Sequence, residues 1–395
     1  MSVELRPLGV QCNIKCTYCY QNPLRDAGNL PRGYDLERMK AAVEREGGPF
    51  ALFGGEPLLM PLMDLEALWE WGLRKYGTNA VQTNGVLIGD AHIRLFKTYK
   101  VAVGVSIDGP GELNGLRRRG DARRTAEATA RTEAAIELLC RERVWPSLIV
   151  TLHRANATAE CLPRLVAWLR HLDQLGVPAV RLHLLESETA AVRDAFGLTT
   201  RENVVALMAL HALEPQLVRL KFDLFAEMRR LLMGRDHRSS CVWNACDPYT
   251  TPAVRGVEGY GERSNCGRTN KDGVDFAKAD VAGYERYLAL YATEQEYGGC
   301  AGCRFFLMCK GQCPGTAIDG DWRNRTEHCE VWKALFTQLE TELTGEGALP
   351  LSLRTDRKRV EQTMLEHWAG GRTRFLSEAF DWAGIAADDA VGHAV

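Results

Sequence analysis

The stretch Cys12-Asn13-Ile14-Lys15-Cys16-Thr17-Tyr18-Cys19 brings three thiols together within eight residues. Buried cysteines are common in protein cores, so packing is one interpretation of these residues. The spacing Cys-x3-Cys-x2-Cys is, however, typical of metal ligation. Three thiolates on one loop can hold three corners of a cubane iron–sulfur cluster, and the fourth iron then has no cysteine ligand. The loop therefore predicts a cluster with one open coordination site.

Length and composition favour a soluble protein of two units. The chain has 395 residues, of which 46% are hydrophobic and 25% charged, and it exceeds one average domain. A formal net charge of −2 gives no reason to expect nucleic acid as a partner. No apolar run approaches the ~20 residues that span a bilayer and no signal sequence is evident, so we expect a cytoplasmic protein without a membrane partner. Thiols stay reduced there, which favours metal ligation for the 13 cysteines.

Apolar runs alternate with helical patterns along the first half of the chain. Strands are predicted at 3–8, 50–53, 80–82, 101–107, 148–152 and 180–185. Six strand–helix units predict an α/β fold with a parallel sheet and helices outside, because parallel strands need such crossovers. Six units fall short of a closed eightfold barrel. The loops after such strands meet on one face, where chemistry is expected.

A second group of cysteines lies towards the C-terminus. The segment 300–313 has the spacing Cys-x2-Cys-x5-Cys-x3-Cys, Cys329 follows it, and three more cysteines precede it, namely Cys241, Cys246 and Cys266. Zinc is a competing ligand for such a set, because Cys-x2-Cys pairs also form tetrahedral thiolate sites. Cys140 and Cys161 stand alone in helical patterns, and we predict that they are packing residues.

Three further motifs lie at predicted strand ends, namely Gly54-Gly55-Glu56-Pro57, Thr83-Asn84-Gly85 and Ser106-Ile107-Asp108-Gly109. Together with the cysteine loop they resemble the radical S-adenosylmethionine (SAM) enzymes, and the later cysteines resemble the SPASM subgroup of that family. The resemblance covers about residues 3–330. It implies a partial (β/α)6 TIM-like barrel, a small cysteine-rich SPASM domain and C-terminal helices. The expected boundaries are 1–198 for the barrel, 199–236 for bridging helices, 237–332 for the SPASM domain and 333–395 for a helical tail.

The resemblance also implies cofactors and their ligands. SAM would bind at the strand ends, through Tyr18, Gly54, Gly55, Glu56, Pro57, Thr83, Asn84, Ser106, Asp108 and Arg118. Each of these motifs is, taken alone, also compatible with a plain turn or a solvated face. One [4Fe–4S] cluster would be held by Cys12, Cys16 and Cys19. Two auxiliary [4Fe–4S] clusters would be held by Cys241, Cys246, Cys266 and Cys313, and by Cys300, Cys303, Cys309 and Cys329.

Candidate acid–base residues are less well marked. His153, His183 and Glu186 lie at or just after the fifth and sixth strands, although a histidine near a strand end is often structural. In sulfatase-maturing members of the family a catalytic Asp directly follows the cysteine that closes a hairpin, and here Gly267 follows Cys266. Asp272 and Asp275 lie slightly downstream and are the candidates to replace that carboxylate, with an exposed loop carboxylate as the alternative.

The function that this resemblance implies is cleavage of SAM to a 5′-deoxyadenosyl radical that takes hydrogen from a residue of a ribosomally made peptide. Cys12 is already part of the site, so recognition of a leader would fall to the C-terminal tail or to a separate protein, unless the substrate has no leader. The reductant would be a flavodoxin or ferredoxin. The alternatives are a formylglycine-forming oxidase like the sulfatase-maturing enzymes, a radical SAM enzyme for a small metabolite, and a non-enzymatic electron carrier or zinc-stabilised interaction protein.

Overall fold

The computed structural model describes residues 2–28, 33–186, 189–247, 249–251, 253–268, 279, 281–372 and 375–384. The chain divides into two compact units. The first comprises Met1–Asp223 with Arg255–Ala277, and the second comprises Leu224–Val254 with Lys278–Val395. Within the described residues, no helix combines the length and the apolar character that crossing a bilayer requires.

The first unit is organised around a sheet. Its strands are β1 (Val3–Arg6), β2 (Phe50–Leu52), β3 (Asn79–Thr83), β4 (Val101–Ser106), β5 (Ser147–Leu152), β6 (Ala179–Leu184), β7 (Lys221–Phe222), β8 (Gly256–Glu258) and β9 (Arg263–Ser264). The described part of the chain places these nine strands in the order β7-β6-β5-β4-β3-β2-β1-β8-β9. Neighbours are parallel except β8 and β9, which form an antiparallel hairpin just before Cys266. The sheet stays open, which confirms the predicted partial barrel.

Helices connect the strands, as parallel pairing requires. Their bounds are α1 (Asn22–Asp26), α2 (Leu36–Arg45), α3 (Leu62–Tyr76), α4 (Asp90–Thr98), α5 (Ala122–Arg141), α6 (Leu162–Leu175), α7 (Ala190–Phe196) and α8 (Thr200–Leu213). The N-terminus of α2 is capped by Asp35, whose carboxylate accepts a hydrogen bond from the Arg38 N–H at 3.0 Å. Such a cap satisfies a donor that the helix itself leaves unpaired.

The two faces of the sheet differ in character. Along β6, Val180, Leu182 and Leu184 are buried, whereas Arg181 and His183 on the opposite face are half-buried. The same face carries a row of alanines across β2, β3 and β4, where Ala51 pairs with Ala80 and Ala80 with Ala102. Small side chains leave space above the centre of this face, and polar side chains flank it.

The predicted bridging segment contains a strand as well as helices. The helix α8 ends at Leu213 and a 3-10 turn follows at Glu214–Gln216. Pro215 lies in that turn and cannot continue a helix, because it lacks the backbone N–H. The next residues form β7, which extends the sheet beside β6. The apolar periodicity of 204–217 continues across this break, so the periodicity alone does not reveal the strand.

Helices predominate in the remainder of the chain. They are α9 (Asp223–Leu232), α10 (Glu285–Ala292), α11 (Phe306–Cys309), α12 (Cys329–Gly345), α13 (Arg357–Ala369) and α14 (Leu376–Ala383). The core side of α12 buries Val331, Trp332, Leu335, Phe336 and Leu339. Two of the predicted cysteine ligands therefore lie at helix ends, Cys309 at the end of α11 and Cys329 at the start of α12.

Candidate functional site

The cysteine loop follows β1 and is fixed by backbone hydrogen bonds. The Lys15 N–H donates to the Arg118 carbonyl at 2.7 Å, and the Thr17 N–H donates to the Leu116 carbonyl at 2.8 Å. The segment after β4 therefore holds the loop in place.

The three thiols of the loop lie close enough to influence one another. Burial raises the pKa of Cys16 to about 12; the charge of Arg117 opposes this, and ionised Cys19 and Cys12 add to it. Burial also raises the pKa of Cys12. A nearby cation would favour the thiolate forms, because opposite charges stabilise ionisation. Among the described residues, no group of three His, Cys, Asp or Glu side chains is arranged to hold a single metal ion. The donor set of the loop instead fits a cubane cluster, for which three thiolates leave one iron open.

The Gly54-Gly55 pair lets two backbone segments meet. The Gly55 N–H donates to the Gly9 carbonyl and the Glu56 N–H to the Gln11 carbonyl, both at 2.8 Å. A Cβ on Gly55 would lie 1.9 Å from the Gln11 oxygen, and one on Gly54, whose φ is +114°, would lie 2.6 Å from the Gly9 oxygen. The close approach that these glycines permit is thus to the segment leading into Cys12.

Glu56 ties the ends of β2 and β3 together. Its carboxylate is fully buried and accepts hydrogen bonds from the Leu58 N–H (3.0 Å), the Thr83 hydroxyl (2.7 Å) and the Asn84 N–H (2.8 Å). Burial raises the pKa of Glu56, although these hydrogen bonds oppose the rise. The Asn84 amide in turn donates to the Asn13 side chain at 2.7 Å and approaches the Cys12 sulfur at 3.7 Å. The end of β3 therefore contacts the cysteine loop directly.

Asp108 is fully buried and is the centre of a polar cluster. It accepts a hydrogen bond from the Tyr18 hydroxyl, and a second from the Thr151 N–H at 3.1 Å. His153 Nε2 lies 3.4 Å from the same carboxylate, and Arg117 Nη1 lies 3.7 Å away. Burial alone would raise the pKa of Asp108, but Arg117 together with the hydrogen bonds from His153 and Tyr18 lowers it.

Three residues that the sequence singles out, Asp108, His153 and Ser106, lie in or near this cluster. A carboxylate has about four acceptor positions, and protein donors lie beside both oxygens of Asp108. His153 is fully buried beside it. Ser106 is half-buried and accepts a hydrogen bond from the Gln82 amide at 2.8 Å.

Arg117, and not its neighbour Arg118, reaches the cluster. Arg117 Nη1 donates to the Tyr18 hydroxyl at 3.0 Å, whereas Arg118 is exposed and contributes its backbone carbonyl to Lys15. A run of three arginines does not show which side chain turns inward. That choice depends on the path of the loop after β4.

His183 and Glu186 lie together at the end of β6, where Arg268 joins them. Arg268 donates to Glu186 Oε1 and to His183 Nδ1, each at 2.9 Å. Burial lowers the pKa of His183 well below its ordinary value, and the charges of Arg268 and Arg181 add to that effect. A neutral ring that accepts at Nδ1 carries its proton on Nε2. His183 is therefore arranged as a hydrogen-bond donor. The sequence alone gave no reason to select Arg268.

The remaining acid–base candidates, Asp272 and Asp275, lie outside the described residues. Gly267 contacts Tyr20 closely, and a Cβ at this position would lie 2.7 Å from Tyr20 Cε2. A larger residue after Cys266 would therefore have to displace the Tyr20 ring.

Four of the predicted ligands of the second unit line one cavity, namely Cys300, Cys303, Cys309 and Cys329. Burial raises the pKa of Cys300 to about 12, with further contributions from Cys303 and Cys329. Burial likewise raises the pKa of Cys309, and ionised Cys329, Cys300 and Cys303 add to that rise. These four thiols form one of the two four-cysteine sets that the resemblance implies, and their assignment to one cluster stays a prediction.

The members of the other set fall in both units. Cys241, Cys246 and Cys313 belong to the second unit and Cys266 to the first. Cys246 and Cys313 are buried, and the other two are half-buried. The assignment of these four cysteines to one cluster stays a prediction. Of the two solitary cysteines, Cys140 is buried in α5, and Cys161 is half-buried just before α6.

Comparisons of the sequence and of the fold with known proteins point to the same group of enzymes. Residues 7–184 match the Radical SAM superfamily. The cysteine-type anaerobic sulfatase-maturating enzyme of Clostridium perfringens (strain 13 / Type A) is 32% identical over 163 residues, which are 35% of this chain and 44% of that enzyme. The chain thus matches less than half the length of this relative.

Two solved structures share the fold. A structure of native anSMEcpe with bound AdoMet and Cp18Cys peptide has a TM-score of 0.64 at 22% identity, covering 87% of this chain and 98% of that one. Streptococcus suis SuiB bound to precursor peptide SuiA has a TM-score of 0.54 at 13% identity, covering 83% and 76%. At these identities the likeness concerns the fold.

Proposed function

Residues 7–184 form a radical SAM domain homologous to the anaerobic sulfatase-maturating enzymes, and on that premise we propose that the chain modifies a peptide by hydrogen abstraction. The cofactors of such a domain are SAM and a [4Fe–4S] cluster, which supply a 5′-deoxyadenosyl radical when bound. The observation that carries the proposal is the meeting of the cysteine loop with the ends of β3, β4 and β5, through Asn84 and the Asp108 cluster.

Each part of this site has a role in the proposal. Cys12, Cys16 and Cys19 hold the cluster. Tyr18, fixed by Asp108 and Arg117, orients the loop between the cysteines. Half-buried Ser106 and buried Asn84 would supply polar side chains for binding SAM at the strand ends.

A peptide substrate is supported by two considerations. The structures that share this fold include one with the Cp18Cys peptide and one with precursor peptide SuiA. The alanine row on β2, β3 and β4 leaves space on one face of the first unit, and the His183 donor lies at the end of that face. An N–H donor there suits an acceptor oxygen such as a peptide carbonyl.

Formylglycine formation is the second candidate, and homology to the sulfatase-maturating enzymes favours it. That chemistry needs a base for the substrate thiol or hydroxyl. Among the described residues, His183 is arranged as a donor, and Gly267, which stands where the resemblance leads us to expect a catalytic Asp, is packed against Tyr20. We therefore place a different oxidation of a peptide residue first.

The second unit completes the proposal. Its cysteines would hold auxiliary [4Fe–4S] clusters that pass on the electron left after hydrogen abstraction, with a flavodoxin or ferredoxin as the external one-electron partner. Complete cysteine ligation leaves no open iron, which suits electron transfer.

The decisive test is anaerobic reconstitution with iron and sulfide, followed by incubation with SAM and dithionite. We expect 5′-deoxyadenosine, measured by chromatography and mass spectrometry. No 5′-deoxyadenosine above that of a Cys12→Ala/Cys16→Ala/Cys19→Ala variant would refute the function. Arg117→Gln should lower the yield about tenfold or more, as loss of an outer-shell partner commonly does, whereas exposed Arg118→Gln should retain it.

Synthetic peptides then separate the two candidates. The Cp18Cys peptide serves as probe for the sulfatase-type reaction. Conversion of its cysteine to an aldehyde would favour formylglycine formation over our first proposal. SAM cleavage without change in that peptide would leave formylglycine formation unsupported and direct the search to other peptides.

A further inference from the structure

Two residues that line the four-cysteine cavity of the second unit carry buried N–H groups without an acceptor in the described part of the chain. Arg325 Nε and Trp332 Nε1 are both buried, and neither has a hydrogen-bond partner among the described residues. Both residues line the cavity together with the four cysteines. A buried donor without an acceptor is costly, so native proteins rarely leave one. An acceptor in the cavity itself would satisfy both groups.

Both donors are held in position by other contacts. Arg325 Nη1 donates to the Gly299 carbonyl at 2.8 Å and to the Gln295 carbonyl at 2.5 Å. The Trp332 indole makes an edge contact with Trp243, with 5.5 Å between ring centroids. These contacts fix the positions of both side chains at the cavity.

Positive charge accompanies these donors. Lys333 also lines the cavity, and its ammonium group donates to Gln295 Oε1 at 2.9 Å and to Glu330 Oε1 at 3.1 Å. Arg325 and Lys333 line the same cavity as the four cysteines, so their positive charges lie beside any negative charge that the cavity holds.

We propose that Arg325, Trp332 and Lys333 form an electron-stabilising wall for a [4Fe–4S] cluster in this cavity. The N–H groups of Arg325 and Trp332 donate to sulfur atoms of the cluster, and Lys333 adds positive charge. On reduction the cluster gains one electron, a one-electron donor such as a ferredoxin loses one, and no bond forms or breaks. The reduced cluster is more negative, so hydrogen bonds to sulfur and a nearby cation raise its reduction potential. The inference rests on the auxiliary cluster of the proposed function.

Two substitutions test the wall by EPR-monitored redox titration. The full chain carries Cys12→Ala/Cys16→Ala/Cys19→Ala, so that the first cluster does not contribute, and the relevant signal is the one that Cys300→Ser removes. Trp332→Phe deletes the N–H and keeps an aromatic ring. At a fixed potential we expect the ratio of reduced to oxidised cluster to fall about three- to tenfold, where tenfold is 59 mV for one electron. Lys333→Gln should shift the ratio in the same direction.

Trp368→Phe is the matched control. Trp368 is buried in the same unit, its Nε1 also has no partner among the described residues, and it stacks on Tyr284. This substitution should leave the ratio unchanged. Unchanged ratios in both test variants, or an equal shift in the control, would overturn the proposal, as would an iron content that Cys300→Ser does not reduce.

A spectroscopic measurement covers the case in which Trp332→Phe loses its cluster. Pulsed EPR of the reduced protein in D₂O should detect exchangeable deuterons coupled to the cluster, from the Arg325 and Trp332 N–H groups. No such coupling would contradict the proposal. Failure of the proposed function is a separate outcome, because it appears as a lack of 5′-deoxyadenosine in the unsubstituted chain.

Discussion

Tyr18 shows at the scale of single residues how the loop chemistry depends on a distant carboxylate. Its position between Cys16 and Cys19 is part of the local motif, but its hydroxyl hydrogen-bonds to Asp108 at the end of β4 and accepts from Arg117. Burial raises the pKa of Tyr18 well above its ordinary value, although Arg117 opposes the shift. The phenol therefore stays protonated and holds the loop as a donor.

Removing that hydroxyl should loosen the loop. Tyr18→Phe leaves Asp108 and Arg117 short of a partner, which costs about 1–3 kcal/mol of unfolding free energy, and should reduce the iron retained against a chelator. Tyr99→Phe is the control, because Tyr99 donates to Glu66 at 2.8 Å in an exposed pair. Urea denaturation and iron release measure both effects. Equal behaviour of the two variants would show that the Asp108 cluster does not hold the loop.

His183 predicts a pH dependence of stability. Its folded pKa lies well below the ordinary value because of burial and the charges of Arg268 and Arg181. The unfolded chain binds a proton on this ring below about pH 6.5, whereas the folded chain does not, so stability is complete above that pH and falls as the pH decreases below it. His183→Gln should flatten this fall between about pH 7 and pH 5.

The control for that measurement is His171→Gln, since His171 is exposed on α6. Urea denaturation at a series of pH values should give this variant the slope of the unsubstituted chain. A His183→Gln slope identical to that of the parent would mean that Arg268 and burial do not hold the ring neutral.

At the scale of elements, the segment after β1 and the segment after β2 are hydrogen-bonded to each other through their backbones. Gly54 and Gly55 allow the two backbones to hydrogen-bond, and Glu56 then joins the pair to β3. These contacts explain why the motif contains two glycines and a glutamate, without reference to a ligand.

Gly55→Ala should therefore disrupt the cysteine loop. The added Cβ would lie 1.9 Å from the Gln11 oxygen, and overpacking of this kind costs about 1–3 kcal/mol. We expect less iron at the first site and less 5′-deoxyadenosine. Gly345→Ala, with open space around the new Cβ near the end of α12, should be neutral or slightly stabilising. If Gly55→Ala retained full iron and activity, the pairing of the two segments would not be needed for the site.

At the scale of the whole molecule, the two kinds of cysteine site belong to different units. The first unit holds the three-cysteine loop, and the four-cysteine cavity lies in the second unit. Exposed apolar residues are scattered over both units and include Met63, Val218 and Tyr297. Such single residues are normal on protein surfaces and do not define an interface.

Iron counting tests the division. Three [4Fe–4S] clusters correspond to about twelve irons per chain, and Cys329→Ser should lower the count by about four. Cys161→Ser should leave it unchanged, because Cys161 is a solitary half-buried residue beside α6. SAM cleavage at the first site should persist in both variants. A full iron count in Cys329→Ser would remove this residue from the ligand set.

Local sequence patterns determined the parallel sheet, the cysteine loop at 12–19 and the later cysteine group at 241–329. Strand alternation, helical periodicity and the spacing of metal ligands are all properties of short stretches, so they can be recognised without the tertiary structure. Leu182 and His183 are adjacent, for example, and strand alternation alone separates the buried one from the half-buried one. The sequence does not reveal the strand β7, because the apolar periodicity of 204–217 continues past the helix end at Pro215.

Only the tertiary structure decided which polar side chains meet. Arg117 contacts the buried cluster and Arg118 does not, and protein donors lie around Asp108. Arg268 contacts His183, although more than eighty residues separate the two in sequence. Likewise Arg325 and Trp332 have no distinguishing motif, yet both bury an N–H beside four thiols. The physical reason is that such contacts depend on loop paths between elements, whereas sequence spacing reports only on neighbours within one element.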